Sequence, residues 1–284
     1  MTPRYPLEGV ASWNMNTTCN YRCSYCTQRF VDDRGQWATD LPKFVAAFAA
    51  LPGDWEIKLS GGEPFRHPDF LEAVRSLAIA NRRVSVVTNF ASPLAELFEF
   101  CDHTRARPGL ISASLHLEYA EPGDFLAKAR AVAGYHAGNF VVTCVATHAN
   151  LPRLAELRAQ FTAAGLRFNT QPEKQERDVI DYDDAEREQL VQLGGHNNTG
   201  AIAPSFTGQP CWAGARYFIV DHRGDAFRCY PARRQRREHL GNLLDGTFRV
   251  RAEAAPCHYD YCNCSVPFQR GMVAKKKEEP DARR

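Results

Sequence analysis

The sequence predicts an α/β fold built on a parallel sheet. From about residue 10 to residue 172, apolar strand-like segments alternate with segments whose apolar residues recur every three and four positions, as on one face of a helix. The segment VVTCVAT at residues 141–147 is almost continuously apolar, as expected of a strand covered on both faces. Six βα units in a row imply parallel strands, arranged either as a doubly wound sheet or as a partial barrel.

The strands and helices of this region follow one another in a regular order. Leu154, Leu157 and Phe161 mark one predicted helix, and Pro152 falls in its first turn, where proline is tolerated. The predicted strands cover residues 9–15, 56–60, 83–90, 110–116, 140–147 and 167–171.

The alternation ends after residue 172. Residues 173–210 are strongly charged and contain the turn-like run GGHNNTG, so we expect one helix flanked by loops. The segment ARYFIVDHRGDAFRCYP predicts a β-hairpin within a cysteine-rich unit. We therefore divide the chain into a main α/β domain at residues 1–204, a small cysteine-rich domain at 205–272 and a disordered charged tail at 273–284.

Composition places the chain among ordinary globular proteins. Of its 284 residues, 44% are hydrophobic and 24% are charged, and the formal net charge is +2. This balance gives no reason to expect a nucleic acid or a membrane as partner. Because the sequence shows no signal-peptide pattern, we expect a cytoplasmic protein. In that reducing compartment its ten cysteines are expected to bind metal rather than to form disulfides.

Three cysteines near the start carry the strongest chemical signal. Cys19, Cys23 and Cys26 stand in the run TTCNYRCSYCTQ, at spacings of four and three residues. Three thiolates on a 4Fe-4S cluster leave one iron free for chemistry. The alternative is a structural zinc site, which usually needs a second cysteine pair or a Cys/His set, and no such pair lies nearby.

This arrangement, with aromatic Tyr25 before the third cysteine, resembles the signature of the radical SAM superfamily. The resemblance implies a six-stranded partial TIM barrel, (β/α)6, with a 4Fe-4S cluster on Cys19, Cys23 and Cys26 in the loop after the first strand. It also implies that S-adenosylmethionine (SAM) binds the free iron and is cleaved reductively to a 5'-deoxyadenosyl radical. Tyr25 is then expected to lie beside the cofactor.

Further residues at strand ends fit the same resemblance. In LSGGEP, the two glycines and a glutamate would be an ordinary turn if they stood alone; the resemblance implies that they bind the amino group of SAM. His116 stands where many relatives have an aspartate, and is either a polar group facing the substrate or a structural histidine. The predicted SAM-binding residues are Gly61, Gly62, Glu63, Thr88, Asn89, Ser114 and Asn150. Asn150 could instead be a helix N-cap.

A second group of cysteines lies in the C-terminal unit: Cys211, Cys229, Cys257, Cys262 and Cys264. The run GDAFRC and the later LGNLLDG resemble the SPASM or twitch module found after many radical SAM barrels. The twitch type implies one auxiliary 4Fe-4S cluster with four ligands, two of them Cys211 and Cys229. The choice among the other three is open, and a zinc knuckle is the alternative.

The remaining cysteines and polar residues that could carry chemistry are expected to have structural or solvent-exposed roles. Cys101 and Cys144 are expected in the core, because free cysteine is among the most buried residue types. Gln171, Glu173 and Lys174 could face the barrel mouth, but a solvated loop is the favoured interpretation. The basic run at residues 232–238 is expected to be a solvated face, since no aromatic residues interleave with it.

These motifs together predict a radical SAM oxidoreductase. A second cluster suits the removal of an electron from a substrate radical, as in a small-molecule dehydrogenase acting on a sugar or aminocyclitol. One alternative is a SPASM-type maturase of a ribosomally made peptide; only eighteen residues precede Cys19, which favours the small molecule. Another is a non-catalytic iron-sulfur electron carrier. The expected reductant is a flavodoxin or ferredoxin.

Overall fold

The computed structural model describes residues 8–28, 40–175, 177–262 and 264–273. Of the tail at 273–284, for which we predict disorder, the structure describes Val273, which is buried and forms an isolated β-bridge with Cys211; residues 274–284 lie outside the described residues. The strands are β1 Gly9–Asn16, β2 Trp55–Gly61, β3 Arg83–Thr88, β4 Pro108–Leu115, β5 Asn139–Ala146, β6 Arg167–Pro172, β7 Pro210–Cys211, β8 Tyr217–Val220, β9 Asp225–Phe227, β10 His239–Asn242 and β11 Ala255–Pro256.

Within the described ranges, five longer helices connect the strands β1 to β6, and three others follow β6. They are α1 Leu41–Ala49, α2 Phe70–Ile79, α3 Leu94–Thr104, α4 Pro122–Tyr135, α5 Leu151–Ala163, α6 Asp184–Gln192, α7 Tyr230–Arg234 and α8 Ser265–Gln269. Short 3-10 helices cover Pro64–Arg66 and His196–Asn198. Within the described ranges, no helix combines the length and the apolar character needed to cross a bilayer.

The six strands β1 to β6 lie in sequence order, and each is parallel to the next. A doubly wound sheet would reverse this order at a switch point. Here every right-handed crossover places its helix on the same side, so the sheet is singly wound. This is the arrangement of a partial TIM barrel, and the predicted fold class is confirmed, as are all six predicted strands.

The two faces of the sheet differ in polarity. In β2, Ile57 and Leu59 belong to the main hydrophobic core, whereas Lys58 between them does not. Because strand side chains alternate between faces, the residues that point away from the helices form one surface, which we call the interior face. It is largely polar and includes Ser12, Asn14, Asn16, Lys58, Ser60, Ser112, Ser114, Thr143, Asn169 and Gln171.

The C-terminal third of the chain extends this sheet. The predicted hairpin is confirmed as β8 and β9, which pair antiparallel. β8 also pairs parallel with β1, with Val10 opposite Tyr217, so the sheet has nine strands in the order β10-β9-β8-β1-β2-β3-β4-β5-β6. The helix predicted between residues 173 and 210 is α6, which starts with a capping box between Asp183 and Glu186. The domain division at residue 204 stays a prediction.

A buried arginine organises the region around β7, β9 and β11. Arg228 is 1% exposed and donates to the carbonyl oxygens of Ala213, Cys211, Ala255 and Pro256. It also pairs with Glu238 at 2.9 Å. Its guanidinium therefore satisfies backbone acceptors on two segments at once, residues 211–213 and residues 255–256.

We expect replacement of Arg228 with methionine to lower the free energy of unfolding by about 3 kcal/mol, because it leaves several buried carbonyl groups without their donor and removes the buried ion-pair partner of Glu238. Arg251→Met is the matched control. Arg251 contacts the same Glu238 oxygen at 3.0 Å but has a half-exposed side chain, so its loss should cost less than about 1 kcal/mol. Urea unfolding of both variants checks this; equal losses would contradict it.

Candidate functional site

The loop after β1 carries the three N-terminal cysteines. Cys19 and Cys23 are half-buried and Cys26 is exposed. The loop folds back on itself: Tyr21 N donates to Cys19 Sγ at 3.3 Å, and Cys26 N donates to Cys23 O at 3.1 Å. In the described parts of the chain, no three Cys, His, Asp or Glu side chains are positioned to hold a single metal ion.

His116, at the end of β4, contacts this loop. Its Nδ1 lies 3.3 Å from Cys23 Sγ and 2.8 Å from the Tyr25 hydroxyl, and its ring stacks on that of Tyr25. Burial lowers the pKa of His116 to about 4, so the ring is neutral at pH 7. The predicted cofactor residue Tyr25 is therefore held by His116.

Two more residues of the segment after β4 bind the cysteine loop. Glu118 Oε2 accepts from Ser24 N at 3.0 Å, and the Tyr119 hydroxyl accepts from Arg22 N at 2.9 Å. The Tyr119 ring also stacks on Tyr21, with ring centroids 4.3 Å apart. Sequence reasoning did not identify Glu118 or Tyr119, and no local pattern marks them, because their partners lie more than ninety residues away in the chain.

Glu63 is the buried carboxylate of the site, 2% exposed. Its oxygens accept from Thr88 Oγ1 at 2.8 Å, Asn89 N at 2.6 Å and Phe65 N at 3.2 Å. Burial raises its pKa to about 7 in spite of these donors. The structure thus brings together three of the predicted cofactor residues: Glu63, Thr88 and Asn89.

Asn89 also connects this carboxylate to the cysteine loop. Its Nδ2 lies 2.8 Å from Asn20 Oδ1 and 3.8 Å from Cys19 Sγ. Burial raises the pKa of the Cys19 thiol, and the negative charge of Glu63 raises it further. Glu63 and Cys19 therefore lie within electrostatic reach of each other.

The two glycines before Glu63 permit a close approach of two backbones. Gly62 N donates to Asn16 O, and Glu63 N donates to Thr18 O, each at 2.9 Å. A Cβ on Gly62 would stand 2.5 Å from the Thr17 carbonyl oxygen and closer still to that of Thr18. Gly61 has a φ of +152°, which side chains rarely adopt. Both positions require glycine to keep the loops after β1 and β2 together.

The other two predicted SAM residues lie elsewhere on the barrel. Ser114 is half-buried on the interior face, opposite Thr143 of β5. Asn150 precedes α5, but its side chain does not cap the helix; Nδ2 donates instead to Val145 O at 3.0 Å. In the described ranges, no hydrogen bond connects either side chain with Glu63.

The five C-terminal cysteines line one cavity of about 350 Å³, a volume that includes space open to solvent. Cys211 lies in β7, Cys229 precedes α7, Cys257 follows β11, and Cys262 and Cys264 precede α8. Burial raises the pKa of these thiols at Cys211, Cys229 and Cys262. Metal coordination would compensate this cost of ionisation. All five remain candidates for four ligand positions.

The remaining cysteines and polar residues are also placed. Cys101 and Cys144 are 2% and 1% exposed in the main core, as predicted. Gln171 lies within β6, and Gln171, Glu173 and Lys174 are all half-buried. For Gln171 the favoured interpretation as a solvated loop is wrong, because this residue lies within β6 and points to the interior face. Glu173 and Lys174 follow the strand, as expected of a loop, but are half-buried.

Comparison with known proteins identifies one domain of the chain. Residues 13–122 match the model of the radical SAM superfamily. The chain contains a radical SAM domain. The predicted resemblance is confirmed for these residues, and a radical SAM domain implies a 4Fe-4S cluster and SAM.

Relatives and solved structures resemble parts of the chain. A GTP 3',8-cyclase of Stenotrophomonas maltophilia strain R551-3 is 38% identical over 82 residues, which are 27% of this chain and 25% of the cyclase. SuiB of Streptococcus suis has a TM-score of 0.59 at 16% identity, covering 83% of this chain and 63% of SuiB. The solved structure of native anSMEcpe with bound AdoMet and Cp18Cys peptide has a TM-score of 0.55 at 14% identity, and the match covers 84% of this chain and 78% of anSMEcpe. At these identities the two structures show a common fold.

The residues of the radical SAM domain fit the groups that the family implies. Three thiols project from one short loop at the carboxyl end of β1, the edge at which barrel enzymes place their chemistry. A buried carboxylate, Glu63, lies at the end of the neighbouring strand and is suited to an ammonium group.

We expect Gly62→Ala to destabilise the protein by about 2 kcal/mol, because the added methyl group collides with two backbone carbonyls that cannot rotate away. Iron bound at the cysteine loop should fall with it. The control is Gly123→Ala in α4, where the methyl group meets no atom within 4 Å and stability should change by less than about 1 kcal/mol. Thermal unfolding and iron analysis of both variants test this; a Gly62→Ala variant as stable and iron-rich as the control would refute it.

Proposed function

We propose that the protein is a radical SAM oxidoreductase that oxidises its substrate with the help of an auxiliary 4Fe-4S cluster. The observation that carries the proposal is the cavity lined by five cysteines, because a second cluster there would lie beside the strand β8 that pairs with β1. With its groups bound, such an enzyme supplies a 5'-deoxyadenosyl radical that takes a hydrogen atom from a substrate C–H bond, and an acceptor for the electron that the substrate radical then loses.

In this proposal each part of the radical SAM domain has a distinct task. Cys19, Cys23 and Cys26 hold the catalytic cluster. The Glu63 carboxylate accepts hydrogen bonds from the ammonium group of SAM, and Gly61 and Gly62 allow the backbone to approach SAM closely. Thr88 and Asn89 orient the Glu63 carboxylate by donating to both of its oxygens. Ser114, Tyr25 and Asn150 belong to the proposed cofactor site on the strength of their positions at strand ends.

Two tyrosines, the buried Tyr217 and the half-buried Tyr230, lie between the cysteine cavity and the barrel interior. The Tyr217 hydroxyl lies 3.0 Å from Cys264 Sγ. The Tyr230 hydroxyl donates to Asn14 Oδ1 at 3.2 Å, and Ser60 Oγ donates to the same oxygen at 2.6 Å. Asn14 and Ser60 lie on the interior face, so Tyr230 contacts that face while Tyr217 contacts a thiol of the cavity. This proximity favours electron transfer between a substrate in the interior and a cluster in the cavity.

The favoured substrate class is a small polar metabolite, such as a sugar or an aminocyclitol that is oxidised in a biosynthetic pathway. Its support is the polar interior face, where serine, threonine and asparagine side chains can bind hydroxyl groups. A peptide is the second candidate. The solved structures similar in fold include SuiB bound to the precursor peptide SuiA and anSMEcpe bound to a Cp18Cys peptide. A flavodoxin or ferredoxin is the proposed reductant.

Iron and sulfide analysis with EPR of the anaerobically reconstituted protein tests the two-cluster proposal. The Cys19→Ala, Cys23→Ala, Cys26→Ala triple variant should keep about four irons and a reducible cluster signal, while it loses the formation of 5'-deoxyadenosine from SAM. The Cys101→Ala variant, altered in the core, serves as the control and should keep both clusters. Loss of all iron from the triple variant would refute an auxiliary cluster. A wild type that is reduced and still forms no 5'-deoxyadenosine would instead be an electron carrier.

Replacement of Glu63 with glutamine should weaken SAM binding about 10-fold or more, because a neutral amide cannot pair with the ammonium group. The pKa of Glu63 is about 7. Wild-type affinity should therefore rise from about pH 5.5 to about pH 7.5 as the carboxyl ionises, while an amino group with a pKa near 8 stays largely protonated. The glutamine variant should lack this rise. Equilibrium dialysis with labelled SAM measures both effects, and the exposed Glu72→Gln variant should behave as wild type.

A further inference from the structure

Two lysines lie at the barrel interior without a direct ion-pair partner among the described residues. Lys58 lies on the interior face of β2, and Lys174, two residues beyond β6, lies within electrostatic reach of it. The carboxylate of Glu56, two residues before Lys58 in the same strand, acts on Lys58 electrostatically but is itself paired with Arg270 at 2.9 Å. Both are half-buried, as expected of side chains that line an open interior. Within the described ranges, neither ammonium group makes a hydrogen bond or an ion pair, although buried charges in proteins are usually paired.

The two lysines lie within electrostatic reach of each other. Burial is the main cause that lowers the pKa of Lys174 to about 8, and the positive charges of Arg234 and Lys58 lower it further. The thiols of Cys264 and Cys262 act in the opposite direction. Arg234 itself donates to Gln175 O at 2.9 Å. Positive charges are therefore gathered where the interior approaches the second group of cysteines, and their mutual repulsion is unfavourable unless an anion lies between them.

A buried histidine next to Lys174 also lacks a partner. His196 is 3% exposed, and neither of its ring nitrogens has a hydrogen-bond partner in the described residues. Burial and then the charge of Lys174 lower the pKa of His196 to about 3, so the ring is neutral and has one N–H to donate. A buried polar group without a partner costs free energy that a ligand could recover.

The backbone around His196 is held in unusual conformations. Gly194, Gly195, Asn197, Asn198 and Gly200 all have positive φ. Such conformations persist only where the surrounding structure imposes them. Here the Asn197 side chain accepts from Gln171 Nε2 on β6, and Asn198 Nδ2 donates to Asn169 Oδ1 at 2.5 Å. The loop is thus anchored to the interior face and fixes His196 beside it.

We propose that Lys58, Lys174 and His196 form a subsite for an anionic group of the substrate, a carboxylate or a phosphate. Two ammonium groups and one imidazole N–H would bind such a group by charge-assisted hydrogen bonds. This inference rests on the proposed function, in which the barrel interior holds the substrate. It restricts the substrate to an acidic small molecule, and so excludes a neutral sugar or a cationic aminocyclitol without an acidic group.

Binding of simple anions to the full-length, anaerobically reconstituted protein with SAM tests the subsite. Inorganic phosphate and acetate are titrated separately by calorimetry at constant ionic strength in chloride, so that the two arms distinguish a phosphate from a carboxylate. We expect one of them to bind in the wild type, and Lys58→Gln and Lys174→Gln each to weaken binding about 10-fold or more. Lys174→Arg should retain most of the affinity, since it keeps the charge and the donors.

Lys43→Gln is the matched control, since it removes the same charge from an exposed position on α1 and should bind the anion as wild type does. Absence of binding to the wild type would overturn the proposal, as would equal binding in the Lys58, Lys174 and Lys43 variants. The reduction potential of the C-terminal cluster, measured by EPR during a redox titration, separates a third possibility. A lower potential in Lys174→Gln with unchanged anion binding would mean that the charge of Lys174 tunes the cluster, and would overturn the subsite.

The same preparation separates this inference from the proposed function. Formation of 5'-deoxyadenosine by the reduced wild type reports on SAM chemistry and does not need the anion. Anion binding without any formation of 5'-deoxyadenosine would refute the proposed function but not the anion subsite. Formation of 5'-deoxyadenosine without lysine-dependent anion binding would refute the subsite but not the proposed function.

Discussion

The loops after β1 and β2 are joined by two backbone hydrogen bonds, from Gly62 N to Asn16 O and from Glu63 N to Thr18 O. This contact places the cysteine loop beside a buried carboxylate, and Thr88 and Asn89 then fix that carboxylate from β3. It is possible only because position 62 carries no side chain. The candidate SAM site is therefore a product of two strand ends held at backbone distance, and the segment after β4 secures the cysteine loop from its other side.

The pairing of β8 with β1 has an equally direct consequence. Without it β1 would be an exposed edge of the sheet, with unpaired backbone groups. β8 occupies this edge and brings Tyr217, with Cys264 against its hydroxyl, to the barrel. The second group of cysteines is thereby positioned by the same hydrogen-bonded sheet that positions the first. This continuity brings two distant sequence motifs onto one sheet.

The interior face combines several kinds of polar group at different depths. Towards the amino ends of the strands, Glu56 is 1% exposed and paired with Arg270 at 2.9 Å, and Ser85 donates to it as well. The opposite charges of Glu56 and Arg270 therefore compensate each other. Lys58, one layer higher, makes no hydrogen bond or ion pair within the described residues, although it lies within electrostatic reach of Glu56. The contrast between a satisfied ion pair and an unsatisfied ammonium group on the same strand distinguishes a structural role from a binding role.

The sequence by itself determined the six strands, their alternation with helices, the hairpin of β8 and β9, and the motif of Cys19, Cys23 and Cys26. These features depend on periodicity and spacing, which are local properties of the chain. The tertiary structure alone decided that β8 lies next to β1, that His116, Glu118 and Tyr119 contact the cysteine loop, and that five C-terminal cysteines line one cavity. It also turned Lys174 from an expected loop residue into a half-buried one. Such contacts depend on strand register and on the path of long connections, and these are set by packing between residues far apart in the chain.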